Sequence, residues 1–118
     1  MLKRALRSRS DALGLGCVDT RKGAILELET KHDVDRGVVE LAALSALELC
    51  SMPQEGEDGL ETVDADDVFL ASRDWLRAYA RVPDDRHLVV VGLASAEANV
   101  GLFRSWVKSI ARELCTTP

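Results

Sequence analysis

The spacing of apolar residues along this 118-residue chain changes several times, and each change marks an element. Residues 1–10 carry Leu2, Ala5 and Leu6 among bases, which predicts a short amphipathic helix. Leu13 to Asp19 alternates, with Leu13, Leu15 and Cys17 on one side and Gly14, Gly16 and Val18 on the other, as in a strand. Glycines within a strand mark the close approach of another backbone, so a helix is expected over Gly14 and Gly16. The turn Asp19-Thr20-Arg21-Lys22-Gly23 leads into a second alternating run, Ala24 to Thr30, and the two runs read as a β-hairpin.

Asp33 is the expected N-cap of a helix that reaches about Ser51. Val34, Val38, Leu41, Ala42, Ser45 and Leu49 form the face expected on the sheet. Ala43, Leu44 and Leu47 fall outside that stripe, mixed with Glu40. A helix that is apolar on more than one side has two things to pack against, here its own sheet and a partner subunit.

Residues 52–67 are acidic and contain Pro53, Gly56 and Gly59, the composition of a loop. Val68 to Arg73 and Trp75 to Val82 read as strands joined tightly around Asp74, and Pro83 to Arg86 as a turn. His87 to Ala94 is almost continuously apolar, as expected of a central strand covered on both sides. Asn99 is a good N-cap for a last helix with Val100, Phe103, Trp106, Val107, Ile110, Ala111 and Leu114 on one face. Arg104, Lys108, Ser109 and Arg112 take the other face. The order αββαβββα predicts one α/β (α+β) domain over residues 1–118: a five-stranded antiparallel sheet with helices on both faces.

Composition narrows the function. With 47% hydrophobic and 30% charged residues, the chain has the make-up of a globular domain. Its net charge of −5 argues against a nucleic-acid partner, because phosphate binding needs clustered bases. The charge is uneven: Lys3, Arg4, Arg7 and Arg9 precede any acid, and no base occurs from Gly37 to Ser72. Such asymmetry can orient a charged partner. Cys17, Cys50 and Cys115 have no zinc or CxxC spacing and lie in apolar stretches, as small buried hydrophobes do in a reducing compartment. The N-terminus lacks the apolar core of a signal peptide, and no run is long enough to span a bilayer, so a cytoplasmic protein is expected.

No pattern points to catalysis, a cofactor or a metal. His32 and His87 sit at element edges with no nucleophile nearby. Gly14 and Gly16 lie within a strand rather than before a helix, and the Lys-Ser/Thr pair of a phosphate loop is missing. Asp64, Asp66 and Asp67 lack the twelve-residue calcium-loop pattern. The candidates are surfaces instead. Trp75, Arg77, Tyr79 and Arg81 share one strand face, suited either to an interface or to packing under a helix. Val68, Phe69, Leu70 and Ala71 form an apolar strand that invites edge pairing. A two-fold axis there would set Asp67 of one copy near Arg73 of the other.

The runs LGLGCVDTRKGAILELE (13–29), VVELAALSALEL (38–49), VFLASRDWLRAYARV (68–82) and LVVVGLASAEANVGLFRSWV (88–107) together resemble the roadblock/LC7 family, whose fold is profilin-like. The long C-terminal helix looks like its prokaryotic branch, which includes a bacterial regulator of a polarity GTPase. The acidic stretch after Pro53 departs from common members. The resemblance implies dimers in which third strands pair and second helices pack together, as a homodimer or as a heterodimer with another roadblock protein. In this chain that interface would hold Glu40, Ala43, Leu44, Leu47, Asp67, Val68, Phe69, Leu70, Ala71 and Arg73. It also implies a small Ras-like GTPase as partner, or a purely structural adaptor role with no effect on nucleotide turnover. Trp75, Arg77 and Tyr79 are candidates for the partner surface, together with Arg21 and Arg86, which would also be the exposed positions for an arginine finger. A small-molecule sensor is disfavoured, because few polar residues fall at core positions.

Overall fold

Period-two runs become strands and period-3.6 runs become helices in the computed structural model, which describes residues 2–50 and 67–115. The elements are α1 (Leu2–Arg7), β1 (Ala12–Asp19), β2 (Ala24–Thr30), α2 (Arg36–Cys50), β3 (Asp67–Ala71), β4 (Trp75–Val82), β5 (Asp85–Ser95) and α3 (Val100–Cys115). The acidic connection lies outside the described residues apart from Asp67, and so do the side chains of Leu49, Cys50 and Cys115.

The strands form one antiparallel sheet in the order β2-β1-β5-β4-β3. β5 is central, which accounts for its unbroken apolar run. Val89, Val91 and Leu93 pack on the α2 side, while Val90 and Ala94 pack on the side of α1 and α3. At the β1–β2 turn, Gly23 takes φ 65°, a conformation that suits a residue without a Cβ. The Asp19 carboxylate accepts the backbone N–H groups of Arg21 at 2.9 Å and Lys22 at 3.2 Å. Burial works to raise the pKa of Asp19, but these two bonds prevail and hold it below its ordinary value.

β1 departs from simple alternation. Its register shifts between Ala12 and Gly14, so Ala12 joins Leu15 and Cys17 under α1 and α3, while Leu13 packs on the α2 side. The start of α2 also differs from expectation. Lys31 O accepts Val34 N–H at 3.0 Å and turns the chain first, so Asp35 rather than Asp33 becomes the cap. Its Oδ1 accepts Gly37 N–H at 2.9 Å.

The helices rest on the sheet where side chains are missing. A Cβ at Gly14 would lie 2.5 Å from Val39 Cγ2, and one at Gly92 would lie 2.7 Å from Val107 Cγ2. Val39, Ala42, Ala43 and Ala46, at i, i+3, i+4 and i+7, are the buried face of α2. That corrects the face expected from the sequence: Leu41 points outward, 66% exposed, and Ala43 points inward, 0% exposed. A close seat on Gly14 and Gly16 admits Ala and Val but leaves no depth for Leu. α3 follows its pattern, burying Phe103, Val107, Ile110 and Ala111, although Val100 in its first turn is exposed. Asn99 Oδ1 accepts Leu102 N–H at 2.9 Å and caps this helix as expected. No described helix is long and apolar enough to cross a membrane.

Candidate interaction surface

α2 lies over β1, β2 and β5, and among the described residues no helix covers β3 or the outer part of β4 on that side. On α2, Leu41 and Leu44 are 66% and 47% exposed, with Glu40 exposed beside them and Leu47 half-buried. On the same side of the sheet, β3 and β4 present the half-buried residues Val68, Leu70, Trp75 and Arg77. Large apolar side chains exposed to this degree are of the kind that marks an interaction site.

Among the described residues β3 is the sheet margin and pairs with β4 alone, from Asp67↔Ala80 to Ala71↔Leu76. A marginal strand carries backbone donors and acceptors on its other edge that an aligned strand can use. Val68 and Leu70 face the α2 side, and Phe69 packs toward α3. Arg104 fastens this margin to the body of the molecule. Its Nη2 donates to Asp67 Oδ2 at 2.9 Å, and its guanidinium lies 5.6 Å from the centre of the Phe69 ring. Lys108 adds a looser contact to Asp67 at 4.0 Å.

Several sequence candidates move accordingly. Asp67, expected to meet Arg73 across a dimer, is engaged by Arg104 within its own chain. Arg73 lies in the β3–β4 turn rather than in a strand, because the strand ends at Ala71 and Ser72 bonds back to Trp75. Ala43 is sheet-facing and cannot touch a partner. Tyr79 is 1% exposed between Val68 and Val91, so it belongs to the core and not to a surface. Trp75 and Arg77 remain accessible at one end of the sheet. Arg21 on the β1–β2 turn and Arg86 at the start of β5 lie at the other end, with Arg21 3.9 Å from Asp85. These five residues therefore do not form one surface.

Burial first, then the charges of Glu27, Asp19 and Asp85, push the Cys17 thiol up to about 11, where it behaves as an inert core residue. The Arg9 guanidinium, bonding both Asp11 oxygens at 3.0 and 3.1 Å, holds that carboxyl below its ordinary value. Both histidines are exposed, and among the described residues no three His, Cys, Asp or Glu side chains gather as a metal site would require.

Sequence reasoning missed Leu41 as an outward residue. The signal was present in Gly14 and Gly16: a helix seated on glycines turns its smallest residues inward, so the Ala42-Ala43-Ala46 stripe should have outranked the leucines.

Several solved structures share this arrangement over nearly the whole chain. MglC from Myxococcus xanthus gives a TM-score of 0.63 at 17% identity, covering 96% of this chain and 92% of that one. An MglB in a tetrameric arrangement gives 0.77 at 16% identity, with 96% and 81% covered. A roadblock/LC7 domain from Streptomyces avermitilis gives 0.67 at 16% identity, with 98% and 95% covered. No family model matches the sequence, and neither does any curated protein.

Proposed function

The chain has the roadblock/LC7 fold of these bacterial structures, and from that premise we propose that it is a dimeric binding module. The dimer regulates or scaffolds a small Ras-like GTPase through its surfaces, with no catalytic centre of its own. The observation that carries this reading is the exposure of Leu41 and Leu44 on α2, together with a β3 that has no second strand neighbour among the described residues.

In this reading two copies join β3 to β3, antiparallel, about a two-fold axis near Phe69. Each α2 then closes over the seam, and Leu41, Leu44 and Leu47 cover the Val68-Leu70-Trp75 strip. Burying the exposed leucines contributes roughly 1.5–3 kcal/mol for each one fully covered. Association costs roughly 4–15 kcal/mol. The two are comparable, so the new strand ladder and the strip decide whether the dimer is stable. The tetrameric arrangement of one structural neighbour supports self-association. The GTPase rests on the family resemblance: a two-subunit platform can hold a switch region in one of its states and shift its population.

Sedimentation equilibrium should give twice the chain mass, and candidate small GTPases loaded with GTP should release phosphate faster when the protein is added. Binding without acceleration assigns the adaptor role instead. A lone subunit at high concentration that binds no GTPase overturns both.

A further inference from the structure

The side of the sheet away from α2 has chemistry that the dimer leaves unused. α1 buries Leu2 and Leu6 against the sheet, which turns Lys3, Arg4 and Arg7 outward, all exposed. None of these three has a described carboxylate within ion-pair distance. They stand along a groove of about 980 Å³ between α1 and α3, which Trp106, Ser109, Ile110 and Glu113 also line. Arg9, held by Asp11, places its guanidinium 5.6 Å from the centre of the Trp106 ring and keeps that half-buried ring in position. One turn before Trp106, Leu102 is 58% exposed.

We propose that this groove docks an acidic polypeptide segment bearing a large apolar side chain. The carboxylates of the segment pair with Lys3, Arg4 and Arg7, and its apolar side chain lies on Trp106 and Leu102. Three cations without described carboxylate partners, crowded on a six-residue helix, run against the chain's net charge of −5. Complementary charge therefore selects an acidic partner at this place. Shape separates a polypeptide from a membrane: the cations and the tryptophan line a concavity, which an extended segment fills and a bilayer surface cannot. The proposal depends on neither the dimer nor the GTPase, since α1 and α3 lie on the opposite side of the sheet from α2.

The test uses the full chain carrying Trp75→Phe, so that Trp106 alone reports by fluorescence, and two labelled peptides. One is an oligoglutamate, and the other is the same peptide with a central phenylalanine. At physiological salt the phenylalanine peptide should bind several-fold more tightly and shift Trp106 emission. Lys3→Glu, Arg4→Glu and Arg7→Glu together should weaken both peptides by about tenfold or more, as the loss of three exposed ion pairs implies. Trp106→Ala should abolish the advantage of the phenylalanine peptide, and the milder Arg4→Gln and Arg7→Gln exchanges should give the same order of effects without reversing charge. Lys108→Glu with Arg112→Glu should change affinity by less than about twofold, because neither side chain lines the groove and exposed charges are screened by salt. Equal weakening by the two sets of reversals would mean diffuse attraction and would overturn the groove. So would the absence of binding up to ~1 mM, or capture of the chain by phosphatidylserine vesicles when neither peptide binds.

Discussion

α2 and α3 lie on opposite faces of one sheet, each seated on a glycine, yet they end differently. α3 puts Phe103, Val107, Ile110 and Ala111 inside and Arg104, Lys108 and Arg112 outside, and exposes large apolar side chains only in its first turn, at Val100 and Leu102. α2 puts Val39 and three alanines inside and leaves two leucines in water in its middle turns. The comparison shows that an amphipathic helix turns a polar face to water along most of its length, whereas a helix apolar all round keeps apolar side chains exposed there. It also shows that residue size, and not hydrophobicity, chose the inner face of α2.

The comparison breaks first at Phe103. Phe103→Ala should lower stability by about 3–5 kcal/mol in urea melts, since a fully buried ring leaves a cavity. That loss should not depend on protein concentration. A loss below ~1 kcal/mol would mean that α3 is not seated on the sheet through this ring. Next comes the seat of α2. Gly14→Ala should cost about 1–3 kcal/mol through the clash with Val39, and Val39→Ala in the same chain should recover part of it.

The core thiol gives a smaller effect with a definite sign. Cys17 has a folded pKa of about 11 against an ordinary 9.0, so the unfolded chain loses this proton first as pH rises. Its contribution to stability is complete below pH 9 and is lost between 9 and about 11. The difference in urea midpoint between the parent and Cys17→Ala should therefore shrink across that range. A constant difference would show that the thiol is not held in its neutral form.

The smallest effect on the isolated subunit is expected at the outer flank of α2. Leu41→Glu with Leu44→Glu should change subunit stability by no more than about 0.5 kcal/mol per substitution. The same pair should abolish self-association in sedimentation. A cost like that of Phe103→Ala in dilute solution would make the flank part of the monomer core and remove the contrast between the two helices.

Most of the architecture was legible in the residues. The hairpin, the central strand and the capped last helix follow from alternation, an unbroken apolar run and Asn99, all of them local features. The site was legible only in outline. That α2 keeps apolar side chains off its own sheet could be read from its all-round apolarity, and that β3 is an apolar strand could be read from Val68 to Ala71. Asp67 could not be assigned, because its partner Arg104 is 37 residues away and on another element. Tyr79 could be read either as an interface or as a packed aromatic, because nothing in its own strand reveals that Val68 and Val91 flank it.

The sequence by itself determined the kinds of element, their order and the existence of one helix with more apolar surface than a single sheet can use. Those are properties of spacing, and spacing is written along one dimension. Tertiary structure decided which side of α2 turned inward, which carboxylate paired within the chain, and that Arg21 and Arg86 share one end of the sheet while Trp75 sits at the other. Each of these depends on how closely two backbones approach, or on which strands become neighbours, and only packing in three dimensions sets those distances.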